Sequence, residues 1–160
     1  VSGVILGVDP GLSGAIAGLT DDGSFDFVAD MPVIRDLKLA WIDGRALQTT
    51  VAVALAGRSA HAVIERVWSM PKQGVSSTFQ VGVGFGSILS VLQVMQISVE
   101  LVTPGVWKKF HSLGKDKRAS LHKARLLYPA AELHLAKHDG RAEALLIARY
   151  AINHCCPQTL

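Results

Sequence analysis

Four carboxylates in this chain stand where a carboxylate does chemistry more readily than it makes a turn. Asp9 follows the apolar run Ile5-Leu6-Gly7-Val8, and Glu65 follows Ala62-Val63-Ile64. Asp139 and Glu143 are four residues apart near the C-terminus, a spacing that puts both on one side of a helix. A lone acid at the end of a strand is ordinarily a turn former or a salt-bridge partner, and any one of the four fits that description. Together they read differently if the fold brings them to one place. Clustered carboxylates resist ionising together unless a cation offsets their repulsion. An oxygen-only donor set suits Mg²⁺, with Mn²⁺ as a substitute, rather than zinc. Two such ions at one site can activate water and stabilise both oxygens of an in-line displacement, which is the chemistry of phosphodiester hydrolysis.

The elements that must carry these acids follow from hydropathy and turn residues. Val4–Val8 reads as a buried strand, Gly14–Leu19 as a second and Phe25–Ala29 as a third. Asp9-Pro10-Gly11 and Asp21-Asp22-Gly23 supply the turns between them. A helix is expected from about Gly44 to Ala56, a strand at His61–Val67, and a long helix at Ser76–Gln96. A fifth strand at Ser98–Thr103 is ended by Pro104; helices follow at Lys117–Leu127 and Gly140–Asn153. Three antiparallel strands, then strand, helix, strand, helix, is the order of the RNase H-like α/β fold: a mixed five-stranded sheet, three strands antiparallel and then two parallel, with helices on both faces. Adjacent central strands in that fold would set Asp9 beside Glu65. No internal repeat or low-complexity linker interrupts the pattern, so residues 1–160 are expected to form a single domain.

Composition narrows the function classes. The chain has 160 residues, 49% of them hydrophobic and 18% charged, which suits a packed core and excludes disorder. Residues 1–100 hold six Lys/Arg and nine Asp/Glu, whereas residues 101–160 hold ten and four. A basic C-terminal part suits a polyanion, although a solvated helix face would look the same. Lys108, Lys109, Lys115, Lys117 and Arg118 fall within eleven positions and are candidates for DNA phosphate contacts. Lys72 is a further candidate for DNA contact, while Trp68, three residues after Glu65 at a strand end, is ordinarily core or a lid over the sheet edge. Residues 74–99 carry no charge and are long enough to span a bilayer, but the Ser, Thr and Gln spread through them favour a buried or interface helix. Gly82, Gly84 and Gly86 would let a second copy approach closely in a two-fold dimer. Cys155 and Cys156 are adjacent, and with no second pair a reducing compartment, the cytoplasm, is expected.

Four segments in order resemble the RuvC family of Holliday-junction resolvases. Gly7-Val8-Asp9-Pro10-Gly11 is similar to that family's first motif and Ile64-Glu65-Arg66-Val67-Trp68 to its second. Val106-Trp107-Lys108-Lys109 with Gly114-Lys115-Asp116-Lys117-Arg118 resembles its basic region, and His138-Asp139-Gly140-Arg141-Ala142-Glu143-Ala144-Leu145 its C-terminal acidic motif. The resemblance, which extends to bacteriophage-type members, implies a crossover junction endonuclease of DNA recombination and repair in a bacterial or phage-infected cell. It implies a homodimer on four-way junctions that makes symmetric paired nicks, leaving 5′-phosphate and 3′-hydroxyl ends. It further implies catalysis and metal binding by Asp9, Glu65, Asp139 and Glu143, and DNA binding by Trp68, assisted by Met70, through stacking on bases near the exchange point, with simple packing an equal alternative. Many members space the last acidic pair by three; here Gly140 stands three before Glu143, so Glu143 ranks first at this end, Asp139 second and His138 third. Three other readings compete: an RNase H-like nuclease for flaps, forks or RNA–DNA hybrids, a catalytically silent junction-binding module, and half of a sugar-kinase or actin-like ATPase. The intact acids count against the second, and the absence of length for another lobe against the third.

Overall fold

The computed structural model describes residues 3–36, 39–68, 74–114 and 116–154. Its main sheet has the order β3-β2-β1-β6-β7, from β1 (Val4–Asp9), β2 (Ala15–Thr20), β3 (Phe25–Asp30), β6 (Ala60–Glu65) and β7 (Ser98–Val102). β1 runs antiparallel to β2 and parallel to β6, and β6 runs parallel to β7. This is the expected mixed sheet. β1 is buried on both faces, which explains why its sequence is almost continuously apolar rather than alternating.

The alternation of side chains along β1 and β6 divides the core. Val4, Leu6, Val8, Ala62 and Ile64 pack with Leu47 and Val51 of α1 (Gly44–Leu55) and Ile88 and Leu92 of α2 (Val75–Val94). Ile5 and Val63 face the other way, against α3 (Pro104–Phe110), α4 (Lys117–Leu127) and α5 (Asp139–His154). By the same alternation Asp9 and Glu65 belong to the α3–α5 side.

Three contacts fix how α5 lies on the sheet. Gly140 rests on the backbone of Ser13 and Gly14. Gly7 lies so close to the backbone of Ala144 and Ala148 that any Cβ at position 7 would overlap it. Gly23, at the opposite end of β1 and β2, faces Arg149 and Ile152. The helix therefore runs antiparallel to β1, and its first turn sits over the strand end that carries Asp9.

Two features were not anticipated. β4 (Val33–Asp36) and β5 (Leu39–Ile42) form a separate two-stranded hairpin, whose connection lacks the Gly or Asn that marks tight turns. Its base is closed by Asp43 donating its backbone N–H to the Pro32 carbonyl at 2.9 Å. The second is α3. Pro104 ends the strand as expected, yet it also opens a helix, because Pro is well suited to the first helical position. Boundaries shift elsewhere by a residue or two: β6 stops at Glu65 rather than Val67, and α5 begins at Asp139 rather than Gly140.

Candidate active site

The parallel register pairs Val8 with Ile64, so the next residues, Asp9 and Glu65, end adjacent strands side by side. From there the chain turns away, and the site is completed from α3 and α5. Trp107 of α3 donates its indole N–H to Glu65 Oε2 at 2.7 Å. The next residue, Lys108, places its ammonium 3.0 Å from Glu143 Oε1. Ser120 of α4 donates its hydroxyl to the same oxygen at 3.4 Å. Two consecutive residues of one short helix thus tie the β6 acid to the α5 acid.

Glu143 is buried and Lys108 keeps 19% of its side chain exposed, so this ion pair lies mostly out of water. The Lys108 ammonium also lies 5.0 Å from the centre of the Trp107 ring, within cation–π range. Asp139 lies one helical turn before Glu143 and is half-buried. Among the described residues no three Asp, Glu, His or Cys side chains are gathered into a ready cation cage. The donors are carboxylate oxygens, which suit a hard divalent ion, and Lys108 shows that the site already accommodates a positive charge.

His138 is buried just before α5, with its ring edge-on to His134 at 5.2 Å. Burial holds its imidazole below the ordinary range, and the charge of Arg141 pushes the same way. Its neighbours also include Asp30, the last residue of β3, which puts it on the β3 flank of the α5 start. There Arg141 donates to both oxygens of Asp30, at 2.6 and 2.8 Å, and to the Glu132 carbonyl at 3.1 Å. That hydrogen-bonded pairing holds the Asp30 carboxyl below the usual carboxylate range and raises Arg141. The clamp ties the acid-bearing turn of α5 to the sheet.

The basic candidates separate by position. Lys108 is inside the acid site. Lys109 and Arg118 are exposed, and Lys117 opens α4, whose N-cap Asp116 accepts from the Arg118 N–H at 2.9 Å. A groove of about 640 Å³ beside Lys108 is lined by Pro104, Lys109 and Ser112 among others. Trp68 is 50% exposed, with the Arg66 guanidinium 5.8 Å from its ring centre. Lys72 and Lys115 lie outside the described residues, as do Met70, Cys155 and Cys156.

On α2, Gly84 is buried against Ile42, whereas nothing packs against Gly82 or Gly86 among the described residues. The three glycines therefore do not share one face. The open side of the helix presents Val75, Phe79 and Val83, spaced by four, with Phe79 73% exposed.

Sequence reasoning missed Trp107, Ser120, and the Asp30–Arg141 clamp. The Thr103-Pro104 pair signals a helix start and would have pointed to α3. Asp30 and Arg141 are 111 residues apart, and no local pattern links them.

No family model matches the chain. It is 40% identical over 79 residues to the chloroplastic Holliday junction resolvase MOC1 of Chlamydomonas reinhardtii, a match covering 47% of this chain and 9% of that protein. Among solved structures it is similar to T. thermophilus RuvC in complex with a Holliday junction substrate. That likeness has a TM-score of 0.62 at 16% identity and covers 95% of this chain and 92% of the other. A second Thermus thermophilus RuvC structure aligns over 95% of this chain and 93% of its own length, with a TM-score of 0.54 and 16% identity. The chain therefore has the fold of RuvC, the RNase H-like arrangement expected from the order of its strands and helices.

Proposed function

We propose that this chain is a metal-dependent endonuclease that resolves four-way DNA junctions, with residues 1–160 acting as one nuclease domain. The observation that carries the reading is the side-by-side ending of β1 and β6 in Asp9 and Glu65, with Glu143 brought to them by α5 and joined through Trp107 and Lys108. Asp9, Glu65 and Glu143, with Asp139, would hold Mg²⁺ or Mn²⁺, two ions to a site. Such ions supply an activated water and charge stabilisation for phosphodiester hydrolysis. The protein's own residues do the rest. Lys108 neutralises Glu143 in the metal-free protein, and the Asp30–Arg141 clamp holds the α5 turn in place.

Exposed Lys109 and Arg118, with Lys117 at the start of α4, Lys115 just before it in sequence and Lys72 close to Trp68 in sequence, would track DNA phosphates. Half-exposed Trp68 would stack near the branch point. The open apolar side of α2, through Val75, Phe79 and Val83, would meet a second copy, so that two sites cut the junction symmetrically, leaving 5′-phosphate and 3′-hydroxyl ends. Phe79→Glu should then shift sedimentation from dimer to monomer and uncouple the paired nicks. A wild-type protein that sediments as a fully active monomer would end the dimer reading.

The test of function is a cleavage panel of four-way junction, fork, flap, duplex and RNA–DNA hybrid, with and without Mg²⁺. Mg²⁺-dependent cutting confined to the junction supports the proposal. Preferential cutting of the hybrid or flap would transfer the same acids to a different substrate, and binding without cutting would make the chain a junction-binding module.

A further inference from the structure

We propose that Trp107 is a positioning residue for Glu65: its indole N–H fixes the orientation of the β6 carboxylate toward Asp9 before any cation arrives. The inference rests on the reading of Glu65 as a cation ligand. Trp107 is fully buried, and its N–H reaches Glu65 Oε2 at 2.7 Å, a short charge-assisted bond. An indole nitrogen only donates, so it can neither ligate a cation nor reverse its role, and the bond has a single polarity.

The ring itself is held from several sides. Lys108 lies over its face at 5.0 Å and His111 meets it edge-on at 6.4 Å. His111 is in turn anchored to α5, donating from Nε2 to the Leu146 carbonyl at 2.7 Å. The orientation of Glu65 is therefore transmitted from the α3–α5 contact and not left to the side chain's own rotamers. Carboxylate ligands steered in this way typically lose about 10- to 100-fold in cation affinity or activity when the outer partner is removed. A tryptophan that merely filled the core would lose stability on substitution and leave cation affinity alone.

The experiment uses Trp107→Phe together with site-specific replacement of Trp107 by 3-benzothienylalanine, which keeps the bicyclic shape but puts sulfur where the N–H was. Mn²⁺ binding to the DNA-free protein, the Mn²⁺ concentration for half-maximal junction cleavage, metal-free junction affinity and thermal unfolding are measured for each. Both variants should bind Mn²⁺ about 10- to 100-fold more weakly and need correspondingly more of it, with junction affinity unchanged and cleavage largely recovered at saturating Mn²⁺. The benzothienyl variant should melt near the wild type. In the wild-type protein the indole proton resonance of Trp107 should move on addition of Mg²⁺, and it should lie upfield of its normal position in Glu65→Gln. Wild-type Mn²⁺ affinity in the benzothienyl variant, or an indole resonance indifferent to Mg²⁺, overturns the inference. If Glu65→Gln itself binds Mn²⁺ and cleaves like the wild type, the reading of the acid site has failed, and the positioning role goes with it.

Discussion

Lys108 Nζ and Glu143 Oε1 lie 3.0 Å apart, with both side chains largely withdrawn from water. A lysine that composition alone would assign to the DNA-binding surface instead serves as the internal counter-charge of the acid site. Lys108→Met should leave Glu143 buried without its cation. Breaking a buried pair costs several kcal/mol; because Lys108 keeps some exposure, a loss of about 3 kcal/mol is expected in metal-free chemical denaturation. Much of it should return in the Lys108→Met, Glu143→Gln double variant, and part of it on adding Mg²⁺. A Lys108→Met protein as stable as wild type would show the pair to be incidental.

Gly7→Ala tests how α5 is seated. Its Cβ would overlap the backbone of Ala144 and Ala148, and backbone cannot step aside as a flexible side chain can. The cost should reach or exceed the upper end of ordinary overpacking, about 3 kcal/mol, and junction cleavage should fall because the Glu143 turn moves with the helix. Urea denaturation and cleavage on one preparation measure both. Unchanged stability would mean that α5 does not lie on β1 as described.

His111 sets a pH dependence. Burial lowers its imidazole, against the opposing effect of its bond to Leu146; Lys123 and Arg149 lower it further. As pH falls below an ordinary imidazole's ~6.5, the unfolded chain takes up the proton first. Stability should therefore decline from about pH 6.5 downward until the folded imidazole also protonates, by at most about 1.4 kcal/mol per pH unit for one group. His111→Phe should flatten that slope without abolishing it, since His138 is shifted in the same direction. An identical slope in the variant would rule out the buried neutral imidazole.

The exposed basic residues are tested by salt. Lys109→Ala with Arg118→Ala should weaken junction binding and make the log–log salt dependence shallower by about two units, roughly 0.9 for each lost phosphate contact. The effect should be similar across junction sequences, because phosphate contacts carry no base information. An unaltered slope would move the DNA path toward Trp68 and Arg66.

The sheet and its acids were legible because a strand buried on both faces is written as an apolar run, and a carboxylate closing such a run stands out. Asp9 and Glu65 fall into register for that reason, and the regular helix spacing of α1, α4 and α5 located those helices to within a residue or two. The β4–β5 hairpin was hidden because the two residues between its strands in the sequence, Leu37 and Lys38, are not turn formers such as Gly, Asn or Asp. α3 was hidden because one residue, Pro104, both ends a strand and starts a helix, and with it went the partners of Glu65 and Glu143. The glycines of α2 were read as one approaching face, whereas a helical repeat of 3.6 residues turns Gly84 inward and leaves Gly82 to solvent. The Asp30–Arg141 clamp joins distant segments and exists only in the folded chain.

Single-turnover cleavage of an end-labelled four-way junction by Asp9→Asn and Glu65→Gln, beside gel-shift binding of the same junction in the absence of metal, tests the central claim most directly. Each substitution removes a carboxylate charge and leaves the basic residues untouched. The wild-type protein should introduce paired nicks in Mg²⁺, while both variants bind the junction as tightly as wild type and cut it no faster than the background. Near-normal cleavage by either variant would contradict the assignment of the two strand-end acids as the catalytic centre.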